Sequence, residues 1–271
     1  MAIMELNFLG KDSVPFKKAF EIPNDIAVEF QKLLDNKKNT DYVFDLAGEG
    51  EVNNFLKENY DECTAKLFRT AYGTKLLAEE LQKHPVTKEM SLAKKQSIYN
   101  NACLAVSKKL NHQKNVSKNF NDQILKANSN IDEAKSKFNE KKIKAKNSLL
   151  QVKKDIATAK KCFTGEKLKD KLKKLKEKKD KIQISLEKAE IRLEKLELAK
   201  DFKKDTANIA INTAKSAYSS PEIAFSWCKD NNVDISFIYS KTLQDRYSWA
   251  ADVSPDYYKK YPNVKDHKEE I

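Results

Sequence analysis

The stretch LKDKLKKLKEKKDKIQISLEKAEIRLEKL, residues 168–196, decides most of what the sequence says about the fold. Its apolar positions alternate spacings of four and three residues, with one polar interruption at Lys179. These positions are Leu168, Leu172, Leu175, Ile182, Leu186, Ala189, Leu193 and Leu196. Such spacing is the heptad pattern of a coiled coil, so the stretch predicts a long helix that packs against a second helix.

A second heptad pattern lies upstream, in two phases that run from Phe120 to Phe138 and from Ala145 to Ala159. Between the two patterns lies CFTGE, residues 162–166, in which Gly165 can end one helix or open the turn and Thr164 can cap the next helix. Two helices of similar length around a short turn fold back on each other. The sequence therefore predicts an antiparallel coiled-coil hairpin over residues 118–205, with arms roughly 60 Å long.

This hairpin carries the charge excess of the chain. The 271 residues contain 52 Lys and Arg against 40 Asp and Glu, which gives a net charge of +12. Residues 118–205 alone contain 27 Lys and Arg against 15 Asp and Glu, so the whole excess lies there. A basic face of this kind favours a polyanionic partner. The alternative is a coiled coil whose lysines only keep it soluble.

Other function classes find little support in the composition. No apolar run approaches the ~20 residues of a membrane span, and the N-terminus lacks the pattern of a secretory signal, so we expect no membrane partner. The few glycines form no phosphate-binding motif. The cysteines and histidines are too scattered to suggest disulfides or a metal site, so we expect neither cofactor nor metal. They are Cys63, Cys103, Cys162, Cys228, His84, His112 and His267.

The flanks of the hairpin have the pattern of a globular, mainly α domain. Residues 5–22 predict two strands around a GKDS turn. Helical patterns follow in IAVEFQKLL, VNNFLKENYDECTAKLFRT, KLLAEELQKH and SLAKKQSIYNNACLAVSKKLNH, with a break at His84–Pro85. We predict a globular core over residues 1–117, the hairpin over 118–205, a C-terminal domain over 206–253 and a charged tail over 254–271.

Four side chains in these flanks suggest phosphodiester chemistry. Tyr218 lies among small polar residues just before Pro221, and a phenol with a pKa of ~10 needs cations nearby to act as a nucleophile. Arg69 offers a guanidinium fork, His112 a hydrogen-bond donor and Lys11 a proton for a leaving alkoxide. Each residue also has an ordinary structural explanation: a packed tyrosine, a surface ion pair, a helix-terminal histidine and a turn lysine.

The order of the motifs resembles the C-terminal half of a eukaryotic nuclear type IB DNA topoisomerase. FLGKDS, TAKLFRT, an LNHQK turn, a coiled-coil insertion and AKSAYSSPEIAFSWC followed by KTLQDRYSWA occur in the order typical of that family. The resemblance runs through the chain as far as about Val253. It implies a topoisomerase or tyrosine-recombinase catalytic domain, incomplete at its N-terminus and interrupted by the linker hairpin.

The resemblance also implies a role for each matched residue. Tyr218 would attack double-stranded DNA and form a 3′-phosphotyrosyl intermediate without ATP. Arg69 and His112 would stabilise the transition state, and Lys11 would act as the general acid. Lys11, Arg69 and Lys215 would contact DNA, and the protein would be nuclear. A site-specific recombinase shares this chemistry but lacks the long linker hairpin.

The sequence departs from the family pattern at three places, one of which, RTAYGT in place of RTYNAS, leaves Arg69 intact. The family's second catalytic arginine lies upstream of the FLGKDS strand, so a separate N-terminal topoisomerase polypeptide would have to supply it. An inactive fragment, or a non-catalytic DNA-binding or scaffold protein built on the basic coiled coil, is the alternative. Beside the nucleophile, Ala217 replaces the family's asparagine, which predicts altered sensitivity to drugs of the camptothecin type, and Glu222 replaces an arginine.

Overall fold

A computed structural model describes residues 1–10 and 13–261 of the chain, and the predicted mainly α class with one β-hairpin is confirmed for that part. Two short 3-10 helices, Ile235–Phe237 and Ser248–Asp252, accompany the regular elements. The strands are β1 (Ala2–Leu9) and β2 (Pro15–Ile22). The α-helices are α1 (Asn24–Leu34), α2 (Glu49–Asn59), α3 (Ala65–Lys83), α4 (Leu92–Lys109), α5 (Phe120–Cys162), α6 (Gly165–Asp205), α7 (Ile211–Ala217), α8 (Pro221–Asp230), α9 (Lys241–Arg246) and α10 (Tyr257–Lys260). None of these helices combines the length and the apolar character that a membrane crossing requires.

The chain folds as two compact units. The first, called here the terminal unit, consists of Met1–Pro85, Ala102–Asn115 and, within the described residues, the chain from Asn208 to Tyr261. The second, called the long-helix unit, consists of Val86–Asn101 and Val116–Ala207. Tyr218, Arg69 and His112, which are predicted to act in catalysis, belong to the terminal unit.

The terminal unit begins with the predicted β-hairpin. β1 and β2 pair antiparallel from Ala2 opposite Ile22 to Leu9 opposite Pro15. The rings of Phe8 and Phe16 stack across the strands with centroids 4.9 Å apart. The amide of Gly10 donates to the carbonyl of Val14 at 2.9 Å, which closes the turn. Lys11, predicted at the tip of this turn, lies outside the described residues.

The prediction of one helix over VNNFLKENYDECTAKLFRT was wrong. α2 ends at Asn59, and α3 starts at Ala65 and runs without a break through to Lys83. The break is stabilised by Asn53, whose side-chain oxygen accepts the first amide of α3, that of Ala65, at 3.0 Å. This contact replaces the missing side-chain cap at Thr64, because the first amides of a helix have no partner inside it.

The long-helix unit contains the two predicted helices, α5 and α6, which pack side by side. Only Phe163 and Thr164 separate them, and Gly165 opens α6 with a φ of +62°, a conformation that favours glycine. Thr164 occupies the N-cap position but makes no side-chain cap. A buried apolar cluster in the half nearest the turn joins Val152 and Ala159 of α5 to Leu175 of α6. Among the predicted heptad positions of α6, Lys179 is the exposed one.

The core of the terminal unit lies where α3, α8 and α10 pack on one another. Burying an aliphatic or aromatic side chain stabilises a fold by roughly 1.5–3 kcal/mol, so this cluster holds α3 and α8 firmly together. α10 adds polar contacts, because the side-chain amide of Gln82 donates to the carbonyls of Tyr258 at 2.8 Å and Tyr261 at 3.2 Å. The buried apolar residues include Leu77, Ala78, Leu81, Ile223, Ala224, Trp227 and Tyr258.

Two chain segments on either side of the long helices meet in the terminal unit. The amide of Ala210 donates to the carbonyl of His112 at 2.8 Å, and the amide of Lys114 donates to the carbonyl of Asn208 at 2.9 Å. Gln113 and Ile209 form the antiparallel bridge between these bonds. The pairing holds the loop after α4 beside the start of α7.

Candidate active site

Tyr218 lies in a short link between two helices. α7 ends at Ala217, and Pro221 opens α8, with Ser220 as an N-cap whose hydroxyl accepts the amide of Glu222 at 3.3 Å. Proline at the first helical position and serine at the N-cap both favour a helix start here. The phenol is half-buried, so the link presents it on the surface of the terminal unit.

Arg69 lies on α3 directly over the phenol ring. Its guanidinium carbon is 4.8 Å from the centre of the Tyr218 ring. Nη2 donates to the carbonyl of Leu110 at 2.6 Å. Leu110 directly follows α4, where carbonyl groups have no partner inside the helix, so Arg69 also satisfies the end of α4. Arg69 is exposed, and its remaining guanidinium N–H groups make no hydrogen bond to the part of the chain that the structure describes.

His112 is positioned by the way α4 ends. Asn111 adopts a left-handed conformation with φ 55°, and the amide of His112 donates to the carbonyl of Ser107 at 2.8 Å. With the bond from the amide of Asn111 to the carbonyl of Lys108, this is the Schellman arrangement that reverses a chain after a helix. It turns His112 toward Tyr218, and the ring centroids are 5.0 Å apart.

The environment of His112 keeps its imidazole uncharged. The residue is 8% exposed, and neither ring nitrogen has a hydrogen-bond partner among the described residues. Burial lowers the pKa of His112 from its ordinary value of 6.5 to about 4, and the positive charge of Arg69 acts in the same direction. At neutral pH the ring can therefore donate one hydrogen bond without bringing a charge into the site.

Lys66 is a further cation beside the phenol, and it was not singled out from the sequence. Its Nζ lies 5.9 Å from the centre of the Tyr218 ring. Lys66 precedes Arg69 by three residues on α3, and residues at this spacing share one helix face. This spacing is the signal that could have identified it.

The backbone around Tyr218 touches one turn of α3. A Cβ atom added to Gly73 would lie 2.1 Å from the carbonyl oxygen of Tyr218, so only glycine fits there. The hydroxyl of Thr74 accepts the amide of Ser220 at 2.9 Å, and the hydroxyl of Thr70 lies 3.4 Å from the carbonyl of Ala217. The sequence reasoning missed this contact, which depends on a close approach between segments far apart in the chain.

The structure thus brings Tyr218, Arg69 and His112 together, whereas Lys11 lies outside the described residues. Lys215, predicted to contact DNA, is partly buried on α7, and this burial lowers the pKa of Lys215 below its ordinary value. That environment does not favour a phosphate contact, and the role of Lys215 stays a prediction. Within residues 1–10 and 13–261, no group of His, Cys, Asp and Glu side chains could hold a metal ion.

Two family descriptions match parts of the chain. Residues 2–146 match the family described as eukaryotic DNA topoisomerase I, catalytic core. Residues 190–259 match a second family, the C-terminal topoisomerase domain. The first match covers Arg69 and His112, and the second covers Tyr218.

Individual relatives extend over nearly the whole chain. DNA topoisomerase 1 alpha of Arabidopsis thaliana is 32% identical over 94% of this chain and 26% of its own length. DNA topoisomerase 1 of Homo sapiens is 29% identical over 94% of this chain and 31% of its own length. The mitochondrial DNA topoisomerase I of Rattus norvegicus is 27% identical over 92% of this chain and 39% of its own length. The chain therefore spans between a quarter and two fifths of the length of these relatives.

Proposed function

This chain belongs to the eukaryotic DNA topoisomerase I family, and from that membership we propose that it forms the catalytic portion of a type IB DNA topoisomerase. It relaxes supercoiled double-stranded DNA by cutting one strand, allowing rotation and rejoining the ends. Because the chain spans less than two fifths of each relative described above, polypeptide outside these residues completes the protein surface that encloses the DNA, called here the clamp.

The proposed reaction is a reversible exchange of phosphodiesters. The phenol oxygen of Tyr218 attacks phosphorus, the bond to the 5′ oxygen breaks, and a 3′-phosphotyrosyl ester forms. The phenol proton passes to solvent, and the leaving 5′ oxygen takes a proton from Lys11, the general acid that the family resemblance implies. Rejoining is the reverse attack by the 5′-hydroxyl. Since the ester conserves the bond energy, the cycle needs no ATP.

Arg69 and neutral His112 stabilise the transition state, in which the non-bridging phosphate oxygens gain negative charge. Arg69 keeps one N–H on the carbonyl of Leu110, which fixes its direction, and offers the others to phosphate. His112 donates one N–H to a second oxygen. Loss of one such donor lowers the rate of comparable enzymes by roughly 10² to 10³.

One observation carries this proposal: an arginine and an uncharged histidine both lie beside one half-buried phenol, at 4.8 Å and 5.0 Å from its ring. The test is a nicked suicide DNA incubated with the chain, followed by detection of an SDS-stable protein–DNA adduct. We expect the adduct to vanish in Tyr218→Phe and to persist in Tyr72→Phe, a matched control at an exposed tyrosine of α3. Equal adduct in both variants would reject Tyr218 as the nucleophile.

The proposed partner besides DNA is a topoisomerase polypeptide that carries the second catalytic arginine and the rest of the clamp. Of the 27 exposed large apolar side chains among the described residues, 17 lie within the first 72 residues. Exposed apolar side chains that are concentrated in one part of a chain favour a site there where another polypeptide packs. The suicide-DNA assay with and without an upstream topoisomerase fragment tests this: we expect the fragment to raise the rate of adduct formation, and an unchanged rate would exclude the partner.

A non-catalytic DNA-binding protein is the second candidate, because the positive excess lies in the residues of the long helices. It predicts DNA retention without any adduct, even when the upstream fragment is supplied. For the cell compartment we propose the nucleus, although one relative is a mitochondrial enzyme. Imaging of the tagged chain separates the two compartments.

A further inference from the structure

The backbone on both sides of Tyr218 lies against residues 70–74 of α3, one turn beyond Arg69. Three backbone groups take part: the carbonyl of Ala217, the carbonyl of Tyr218 and the amide of Ser220. The helix that carries the arginine therefore also holds the segment that carries the nucleophile. We call this contact the α3 seat.

Thr74 makes the strongest bond of the α3 seat. Its side chain is almost fully buried, with 2% of the residue exposed. The hydroxyl donates to the carbonyl of Thr70 at 2.7 Å and accepts the amide of Ser220 at 2.9 Å. A hydroxyl that donates in one direction and accepts in another fixes both partners, and losing it would leave the amide of Ser220 without this acceptor.

Gly73 sets how closely the two segments approach. Its Cα faces the carbonyl of Tyr218 without a side chain between them, and a Cβ there would also meet the side chain of Leu110 at 3.2 Å. The clash with the carbonyl, at 2.1 Å, is with backbone and so cannot be relieved by turning a side chain. Any larger residue must push the Tyr218 segment away from α3.

We propose that Thr74 and Gly73 are positioning residues that set the phenol of Tyr218 against the guanidinium of Arg69. Neither side chain reaches the phosphate; both act through the backbone of the Tyr218 segment. The inference rests on the proposed cleavage reaction for its effect on rate. The seat itself is independent of that reaction and can be measured separately.

The test compares Thr74→Val, which removes the hydroxyl, with Thr74→Ser, which restores it. We expect Thr74→Val to lower the single-turnover cleavage rate on suicide DNA by roughly 10- to 100-fold, since a displacement of about 1 Å at a reacting group can cost that much. DNA affinity should stay within about twofold of wild type, because no DNA-binding group is removed. Thr74→Ser should recover most of the cleavage rate. Gly73→Ala should lower the cleavage rate about as much as Thr74→Val does.

Amide hydrogen exchange provides a readout without activity. Exchange at Ser220 should be faster in Thr74→Val and close to wild type in Thr74→Ser. Thr158→Val is the matched control, since the hydroxyl of Thr158 donates only to the carbonyl of Lys154, four residues earlier on α5. If Thr74→Val does not fold, Thr74→Cys, a weaker acceptor of similar size, takes its place with an intermediate rate expected.

The outcomes separate this inference from the proposed function. Absence of any adduct from wild type, with the upstream fragment supplied, would reject the proposed cleavage and leave exchange at Ser220 to decide on the seat. Wild-type exchange at Ser220 in Thr74→Val would overturn the inference whatever the activity. So would a wild-type cleavage rate in Thr74→Val, or a rate loss matched by an equal loss of DNA affinity.

Discussion

The imidazole of His112 lies 5.0 Å from the phenol ring of Tyr218, centroid to centroid, with the two planes tilted by 38°. Both ring nitrogens of His112 are buried and unpaired within the part of the chain that the structure describes. An unpaired buried polar group costs roughly 1–3 kcal/mol. A hydrogen-bond acceptor brought within reach of the N–H would remove this cost for that nitrogen.

The first prediction concerns acid. The pKa of His112 is about 4 in the folded protein against 6.5 ordinarily, so between these values the unfolded chain binds more protons. The contribution of His112 to the free energy of unfolding is therefore fully present above pH 6.5. It is lost as the pH falls toward 4, which lowers the free energy of unfolding by about 1–2 kcal/mol. The free energy of unfolding, measured in urea at several pH values in this range, should depend less steeply on pH in His112→Gln than in His84→Gln. His84 is an exposed histidine and serves as the control. Identical slopes would contradict the assigned environment.

The second prediction concerns the guanidinium. A lysine at position 69 cannot hold the carbonyl of Leu110 and grip a phosphate with a fork at the same time. We expect Arg69→Lys to lower the cleavage rate by roughly 10²- to 10³-fold with little change in melting temperature. Suicide-DNA kinetics measure this, with Arg246→Lys on the exposed end of α9 as the control. A loss of cleavage rate of less than tenfold would mean that a positive charge at position 69 is sufficient for cleavage without the guanidinium fork.

The third prediction concerns α10, in the tail for which the sequence indicated no role. Gln82 donates to the carbonyls of both Tyr258 and Tyr261 and so fastens this helix to α3. Gln82→Leu should lower the free energy of unfolding by about 1–2 kcal/mol. Gln151→Leu, which loses an exposed bond to Asp155 on α5, should change it by less than about 0.5 kcal/mol. Equal effects in denaturant titrations would dismiss the role of α10.

The fourth prediction concerns packing between the long helices. Val152 is 1% exposed in their buried apolar cluster, whereas Leu150, two residues away, is 56% exposed. Val152→Ala should destabilise the long-helix unit by about 2 kcal/mol, through reduced burial and a small cavity. Leu150→Ala should have almost no effect. Thermal unfolding followed by circular dichroism would detect a low-temperature transition in the first variant, and the same transition in Leu150→Ala would refute the packing assigned here.

The fifth prediction concerns salt. Four lysines line a groove between α5 and α6 and are candidates for binding DNA phosphates: Lys141, Lys144, Lys178 and Lys181. Changing them together to glutamine should reduce the salt dependence of DNA binding by about 0.9 in log–log slope for each phosphate that a lysine no longer neutralises. Binding titrations over a range of salt concentrations measure the slope. A slope that does not change would assign DNA binding to other cations.

The sequence was most informative where one physical rule acts alone. Heptad spacing predicted α5 and α6, because a narrow apolar stripe can be buried only against another helix. It could not locate the end of α2, since the apolar pattern continues from Phe55 to Leu67. The break depends on Asn53, whose side-chain oxygen accepts a hydrogen bond from the amide of Ala65, twelve residues later.

The candidate site was also only partly predictable from the sequence. Motif order predicted Tyr218, Arg69 and His112 as site residues one by one, but their proximity depends on tertiary contacts. The Schellman turn at Asn111 is a local feature, and an asparagine before His112 is a readable sign of it. Gly73 and Thr74 carry no such sign, because their importance arises only when Tyr218, far away in sequence, packs on them.

The bridge between Gln113 and Ile209 gives the long helices a modular attachment. Because the polypeptide departs from and rejoins the same spot beside His112, lengthening or shortening α5 and α6 by matched turns leaves that junction untouched. The length of α5 and α6 could thus change in evolution or by design, or other helices could replace them, while the residues next to the junction keep their positions.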